Sequence, residues 1–298
     1  MYTAIQFNNS LYIGTNQGAF RLEENTNSFN LLPGTQGQVW QLADMDNQLL
    51  CGHNEGTFRI EKDHVVPVSR ITGGTSLKPI TSGGNDYLIQ STYGWLAVYK
   101  KDAQGNWIYS HNVNGFSHPV KYLEVDHLGY IWASNFIKGL YRIKLNSDLT
   151  EVAEILTFGQ KDGLPSDYKI NVSKLGGRVI FCTGSHFYTY DDLKEKMVQY
   201  TWLNSMTGEF SGSHKVIPAG NDRYWLIKKG KYALVKADHD SLIMLDILPF
   251  SLLKNSMIDE NEYIATLGDN KYLFVSKMDW LSMRNKVNPD IRHFSQPS

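Results

Sequence analysis

Cysteine is nearly absent: Cys51 and Cys182 are the only two in 298 residues, too few for a disulfide framework. Both stand in apolar, strand-like runs, LLCGH and VIFCT, where a small buried core residue is the expected role rather than half of a bridge. Charge of one sign is also missing. Lys plus Arg number 29 against 30 Asp plus Glu, a formal net charge of -1, with no local run of like charge. Phosphate binding needs a basic excess on one face, so nucleic acid is excluded as the main partner. No apolar stretch is long enough to span a membrane, so none of this segment is expected to insert directly. No basic-then-apolar leader opens the chain either. The residues permit both a complete soluble protein and a domain of a longer chain.

Catalytic and metal-binding signatures are scarce too. There is no Gly-x-Ser-x-Gly, no His-Glu-x-x-His, no Cys-x-x-Cys and no phosphate loop. Ser-x-x-Lys occurs at Ser166–Lys169 and at Ser251–Lys254, neither on an expected helix. Asp44-Met45-Asp46-Asn47 has carboxylate spacing but occupies a turn, and Asp238-His239-Asp240 lacks the Gly and distal Glu of a calcium loop. The reading is of a non-enzymatic chain with no catalytic residues, metal or cofactor. Helical periodicity is not evident over three turns anywhere, although 277–285 would suit a short helix or a last outer strand.

What the chain does have is a hydrophobic fraction of 42% with 12% aromatics, ample for a core, and a repeat. Tyr130–Ser134 followed by Gly139–Ile143 is its clearest copy. The same strand, turn and strand recur at 11–22, 49–60, 87–98, 179–190, 224–234 and 263–274. The turn markers fall at 18, 56, 94, 139, 186, 230 and 270, with gaps of 38, 38, 45, 47, 44 and 40. That spacing is expected of a four-stranded propeller blade, about 40–50 residues. The fifth and seventh markers are His186 and Asn270 instead of Gly. Runs such as YIWA and VIFC are apolar at successive positions, as strands buried on both faces require. The expected architecture is all-β: a seven-bladed β-propeller of four-stranded antiparallel blades over 1–285, closed so that no sheet edge is left free. Residues 286–298 are then a linker toward a further C-terminal domain.

Asp126-His127-Leu128-Gly129-Tyr130-Ile131-Trp132-Ala133-Ser134 with Gly139-Leu140-Tyr141-Arg142-Ile143 resembles the two-component regulator propeller repeat, and Asp162-Gly163-Leu164-Pro165-Ser166 is similar to the segment that joins one such blade to the next. The resemblance extends over the chain as a pattern and over about a third of it by motif. It implies the periplasmic sensor region of a hybrid histidine kinase or a related regulator held in the inner membrane. It further implies a neighbouring propeller and β-sandwich domain in the same parent chain, an oligosaccharide signal and a transcriptional output.

Propeller loops that join second to third strands, and blade to blade, share one face. Here that face would carry Tyr93, Trp95, His118, Asn135, Phe136, Lys138, Phe210 and His214, together with Trp40 and Lys229. Aromatic rings beside amides and charges suit a sugar, whose apolar face stacks while its hydroxyls are hydrogen-bonded. Two alternatives accompany this sensor reading: a lyase or glycosidase with acid and base at the channel mouth, and a structural platform for homodimerisation.

Overall fold

The computed structural model describes residues 2–298 apart from 24, 26, 27, 63, 136, 239–240, 249–262, 269–270, 276–278, 285–291 and 296–298. Its strands belong to four-stranded sheets, each made of four consecutive strands, the blade construction of an all-β propeller. The fourth sheet shows how sequence produces a blade. Asp126 opens the turn after Tyr122–Val125, and its Oδ1 accepts the backbone N–H groups of Leu128 and Tyr130, both at 2.9 Å. Gly129 takes the left-handed φ of 79° that closes the turn. Ile131–Ser134 returns antiparallel and is wholly buried, as its unbroken apolar run requires. Leu140–Leu145 and the outer strand Val152–Phe158 complete the order.

Trp132 and Arg142 are register partners on adjacent strands, so their side chains leave the same face. The Trp132 indole N–H donates to Asp126 Oδ2 at 2.8 Å. Its ring meets Phe181 at 4.8 Å and Tyr190 at 5.3 Å in the fifth sheet, so Trp132 packs between blades. The Arg142 guanidinium lies between the rings of Tyr130, at 3.6 Å, and Tyr190, at 4.3 Å. It donates to Asp192 at 3.0 Å, an arrangement that combines cation–π attraction with a charge-assisted bond. The repeat's Asp, Trp and Arg are therefore cement between two sheets.

The chain divides into two compact units, Met1–Leu77 with Tyr99–Ser110 and Leu253–Ser298, and Lys78–Val98 with His111–Leu252. The first contains the sheets at 3–31, 39–69 and 264–295, and the second those at 122–158, 171–199 and 215–248. All strand pairs in these six sheets are antiparallel. The expectation of seven equivalent blades is accordingly corrected to six blades that each stay within one unit. The strands of the third repeat, 76–112, are divided between the two units.

The cause is packing. Ile80, Ile89, Leu96 and Val98 join the core of Val113, Phe116, Leu123 and Ile131. The hairpin after them is tied instead to the turn at 44–48. Gln48 Nε2 donates to Gly105 O at 2.9 Å and Gln48 Oε1 accepts the Trp107 N–H at 3.1 Å. The Trp107 indole donates to Met45 O at 3.2 Å, and Lys101 pairs with Asp46 at 2.8 Å.

Two other expectations change. Thr201–Thr207 is a short α-helix continued by the 3-10 turn Gly208–Phe210, where the repeat predicts an outer strand running over 196–202. Of the segment expected to be a linker, Arg292–Ser295 is an outer strand paired with Asp279–Arg284, and the remainder lies outside the described residues. Both cysteines are free and buried, and burial pushes the Cys51 thiol up to about 12.

Candidate ligand-binding cleft

In the second unit, the turn 135–139 between the second and third strands of the fourth sheet meets the connection that leads on to the fifth. Asn135 N donates to Gly139 O at 3.1 Å, and Asn135 Oδ1 accepts the Ile137 N–H at 3.2 Å. The two loops are then stitched together: Lys138 and Tyr168 form an isolated antiparallel bridge, and Lys169 N donates to Ile137 O at 3.1 Å.

The connection is itself rigid, which explains the Asp-Gly-Leu-Pro segment. Asp162 Oδ2 accepts Gly159 N at 2.8 Å, Gly163 adopts a left-handed φ of 95°, and Leu164 is buried against Trp132 and Phe181 in one core. Asp167 Oδ1 accepts Gln160 N at 2.7 Å, and Gln160 Nε2 reaches Pro165 O at 3.2 Å.

These loops enclose a cleft of about 500 Å³ lined by Lys138, Gly139, Tyr141, Thr157, Phe158, Gly159, Gln160, Lys161 and Asp167. Lys138 Nζ stands 3.6 Å from Asp167 Oδ2 and 5.2 Å from the centre of the Tyr168 ring. Beside the cleft, the His118 imidazole stacks on Tyr141 at 5.2 Å and 13°. Two side chains find room only because glycine faces them. A Cβ at Gly139 would meet Tyr141 Oη at 2.9 Å, and one at Gly159 would collide with Asp167 Oδ1. The cleft thus offers aromatic surface, an amide, two hydroxyls, two ammonium groups and one carboxylate that is already hydrogen-bonded.

Of the residues expected at a site, Lys138 lines this cleft, His118 stacks on one of its walls and Asn135 shapes its turn. Tyr93 and Trp95 are 42% and 46% exposed on the corresponding turn of the third repeat. His214 is half-buried, and its carbonyl accepts from Asn171 at 2.6 Å. Phe136 lies outside the described residues. Phe210 is a correction: at 1% exposure it belongs to the core with Leu203 and Phe187, carried inward by the unexpected helix and 3-10 turn.

Sequence reading passed over Tyr141, Gln160, Lys161 and Asp167. The first reads as a strand residue and the others as parts of a turn motif. The signal available was that the Asp-Gly-Leu-Pro connection follows the strand neighbouring the Asn135–Lys138 turn. Among the described residues, no three His, Cys, Asp or Glu side chains are grouped so as to hold a metal ion, and no helix is long and apolar enough to cross a membrane.

No protein-family model matches the chain, and no curated protein matches it significantly. Solved structures do resemble it. PorZ, a surface component of the type-IX secretion system of Porphyromonas gingivalis, superposes with a TM-score of 0.61 at 10% identity, over 100% of this chain and 38% of PorZ. A Bacteroides uniformis protein named as a 6-phosphogluconolactonase superposes with a TM-score of 0.52 at 12% identity, over 95% and 90% of the two chains. The extracellular domain assigned to a hybrid two-component system of B. thetaiotaomicron covers 99% of this chain and 54% of its own at 10% identity, with a TM-score of only 0.39. At such identities the likeness speaks for the fold alone, and the chain takes its place among β-propellers.

Proposed function

We propose that the chain is a non-enzymatic ligand-binding propeller of an extracytoplasmic sensor and that the cleft beside Lys138 receives an oligosaccharide. The observation that carries this reading is the composition of the cleft. Tyr141 and Phe158 supply aromatic surface, with Thr157, Gln160, Lys138 and Lys161 on the rim, the combination a sugar ring and its hydroxyls call for. Asp167 is the sole carboxylate among the lining residues and is engaged by Gln160 N. The cleft therefore lacks the two facing carboxyls that glycoside hydrolysis uses.

The repeat resemblance at Asp126–Ile143 and Asp162–Ser166 supports placing this propeller in the periplasm. There it would be part of a membrane-bound two-component regulator, beside a second propeller and a β-sandwich domain, with homodimer formation as a further expectation. Isothermal titration with defined polysaccharide digests tests the site directly. A saturable oligosaccharide ligand is expected, with binding weakened at least tenfold by Tyr141→Ala. Binding that ignores Tyr141→Ala, or no ligand across the digests, would reject the cleft as the site.

A further inference from the structure

Resting on that reading, we infer that the ligand of the cleft is an anionic sugar, one whose ring carries a carboxylate, sulfate or phosphate group. The cleft is not electrically balanced. Lys138 and Lys161 both line it, and Asp167 is the one lining residue of opposite sign. Asp167 offsets one of the two charges, and only loosely. One of its oxygens is taken by the Gln160 N–H at 2.7 Å, and the other stands 3.6 Å from Lys138, too long for a full hydrogen bond. Lys161 is exposed, within the turn fastened by Asp162 and Gly163, so the backbone carrying its charge is fixed.

Lys138 is similarly fixed at the backbone by its bridge to Tyr168. Its ammonium sits over the Tyr168 ring, which attracts the charge without satisfying its three donors. Two cations on rigid loops flanking aromatic walls form a clamp for a sugar that brings its own negative charge. A neutral sugar would leave Lys161 to water and Lys138 to its long pairing with Asp167 and the Tyr168 ring. The charged hydrogen bonds gained are the strong class, and their loss is expected to cost about tenfold in affinity for each lysine.

The test is a matched titration of the whole chain. Neutral cello- or xylo-oligosaccharides are compared at equal length with oligogalacturonate, a sulfated disaccharide series and sugar phosphates, at low and at high salt. One anionic series should bind at least tenfold tighter than its neutral counterpart, with the margin shrinking in high salt. Which series wins identifies the anionic group. Lys138→Gln and Lys161→Gln should each remove most of that margin while leaving the thermal midpoint in place. Neutral and anionic sugars binding alike, with both variants silent, would overturn the charge assignment and leave the sugar cleft standing. Tight anionic binding unaffected by Lys138→Gln, Lys161→Gln and Tyr141→Ala together would place the ligand elsewhere and overturn both readings.

Discussion

His53 ends the strand Leu49–His53 beneath the connection that brings the chain into the second sheet, with its ring 1% exposed and Phe58 edge-on at 5.4 Å. Its Nδ1 accepts the Glu55 N–H at 3.1 Å, which leaves the ring proton on Nε2, toward Gly37. Burial lowers its pKa, and the charge of Glu55 with the carbonyls of Thr35 and Gly37 offsets this only in part. The folded protein therefore resists protonating His53, whereas the unfolded chain takes that proton at the ordinary value near 6.5. His53's contribution to stability is complete above that value and is lost as pH falls through the depressed one. The melting temperature should drop between pH 7 and pH 5, and His53→Asn, which keeps an acceptor near Nδ1, should flatten that slope. An unchanged slope in His53→Asn would refute the assignment. Nothing in the sequence marks His53 as special. Its environment is created by residues 32–38, distant in local pattern though near in space. Trp132 was legible by contrast, because a Trp amid small apolar residues on a doubly buried strand has few other places to go.

At the scale of the element, the strand-turn-strand unit was readable because Gly and Asp announce turns through their own backbone preferences. Where hydroxyls replace them, that signal weakens. Thr183 Oγ1 accepts the His186 N–H and donates to His186 O, and Thr15 and Thr92 close the turns ending at Gly18 and Trp95 in the same way. The third turn is thus better marked by Thr92 and Trp95 than by Gly94. The helix Thr201–Thr207 escaped notice because it is only seven residues long, with Leu203 and Thr207 as its buried face. The connection 159–168 yields the prediction proper to this scale. Gly159→Ala forces Asp167 away from Gln160 N and so undoes the cleft's floor. We expect at least a fivefold loss of ligand affinity with a stability cost of about 1 kcal/mol, the bond being partly replaced by water. Calorimetry and chemical denaturation measure the two separately, and unchanged affinity would show that Asp167 does not shape the site.

For the whole molecule, periodicity conveyed the four-stranded sheets but not how they are grouped, since every repeat looks alike along the chain. The grouping depends on side chains that reach across loops. Gln48 alone fastens the 102–107 hairpin at two points. Gln48→Ala should raise amide exchange in 102–107 about tenfold or more, while amides at 87–98, held by the other core, stay protected. Equal deprotection of both stretches would mean that the third repeat opens as one piece after all.

The cleft has a further consequence. All its lining residues fall between Lys138 and Asp167, in one continuous stretch of half a blade and the connection that follows. A binding site assembled from several blades can change only by coordinated substitutions scattered along the gene. This one is a cassette. A single recombination event between repeats could carry all of it, provided the incoming segment kept the counterparts of Arg142 and Leu164, which pack against the fifth sheet. Specificity in such a protein can evolve by replacing one paragraph of the text while the rest of the page is kept.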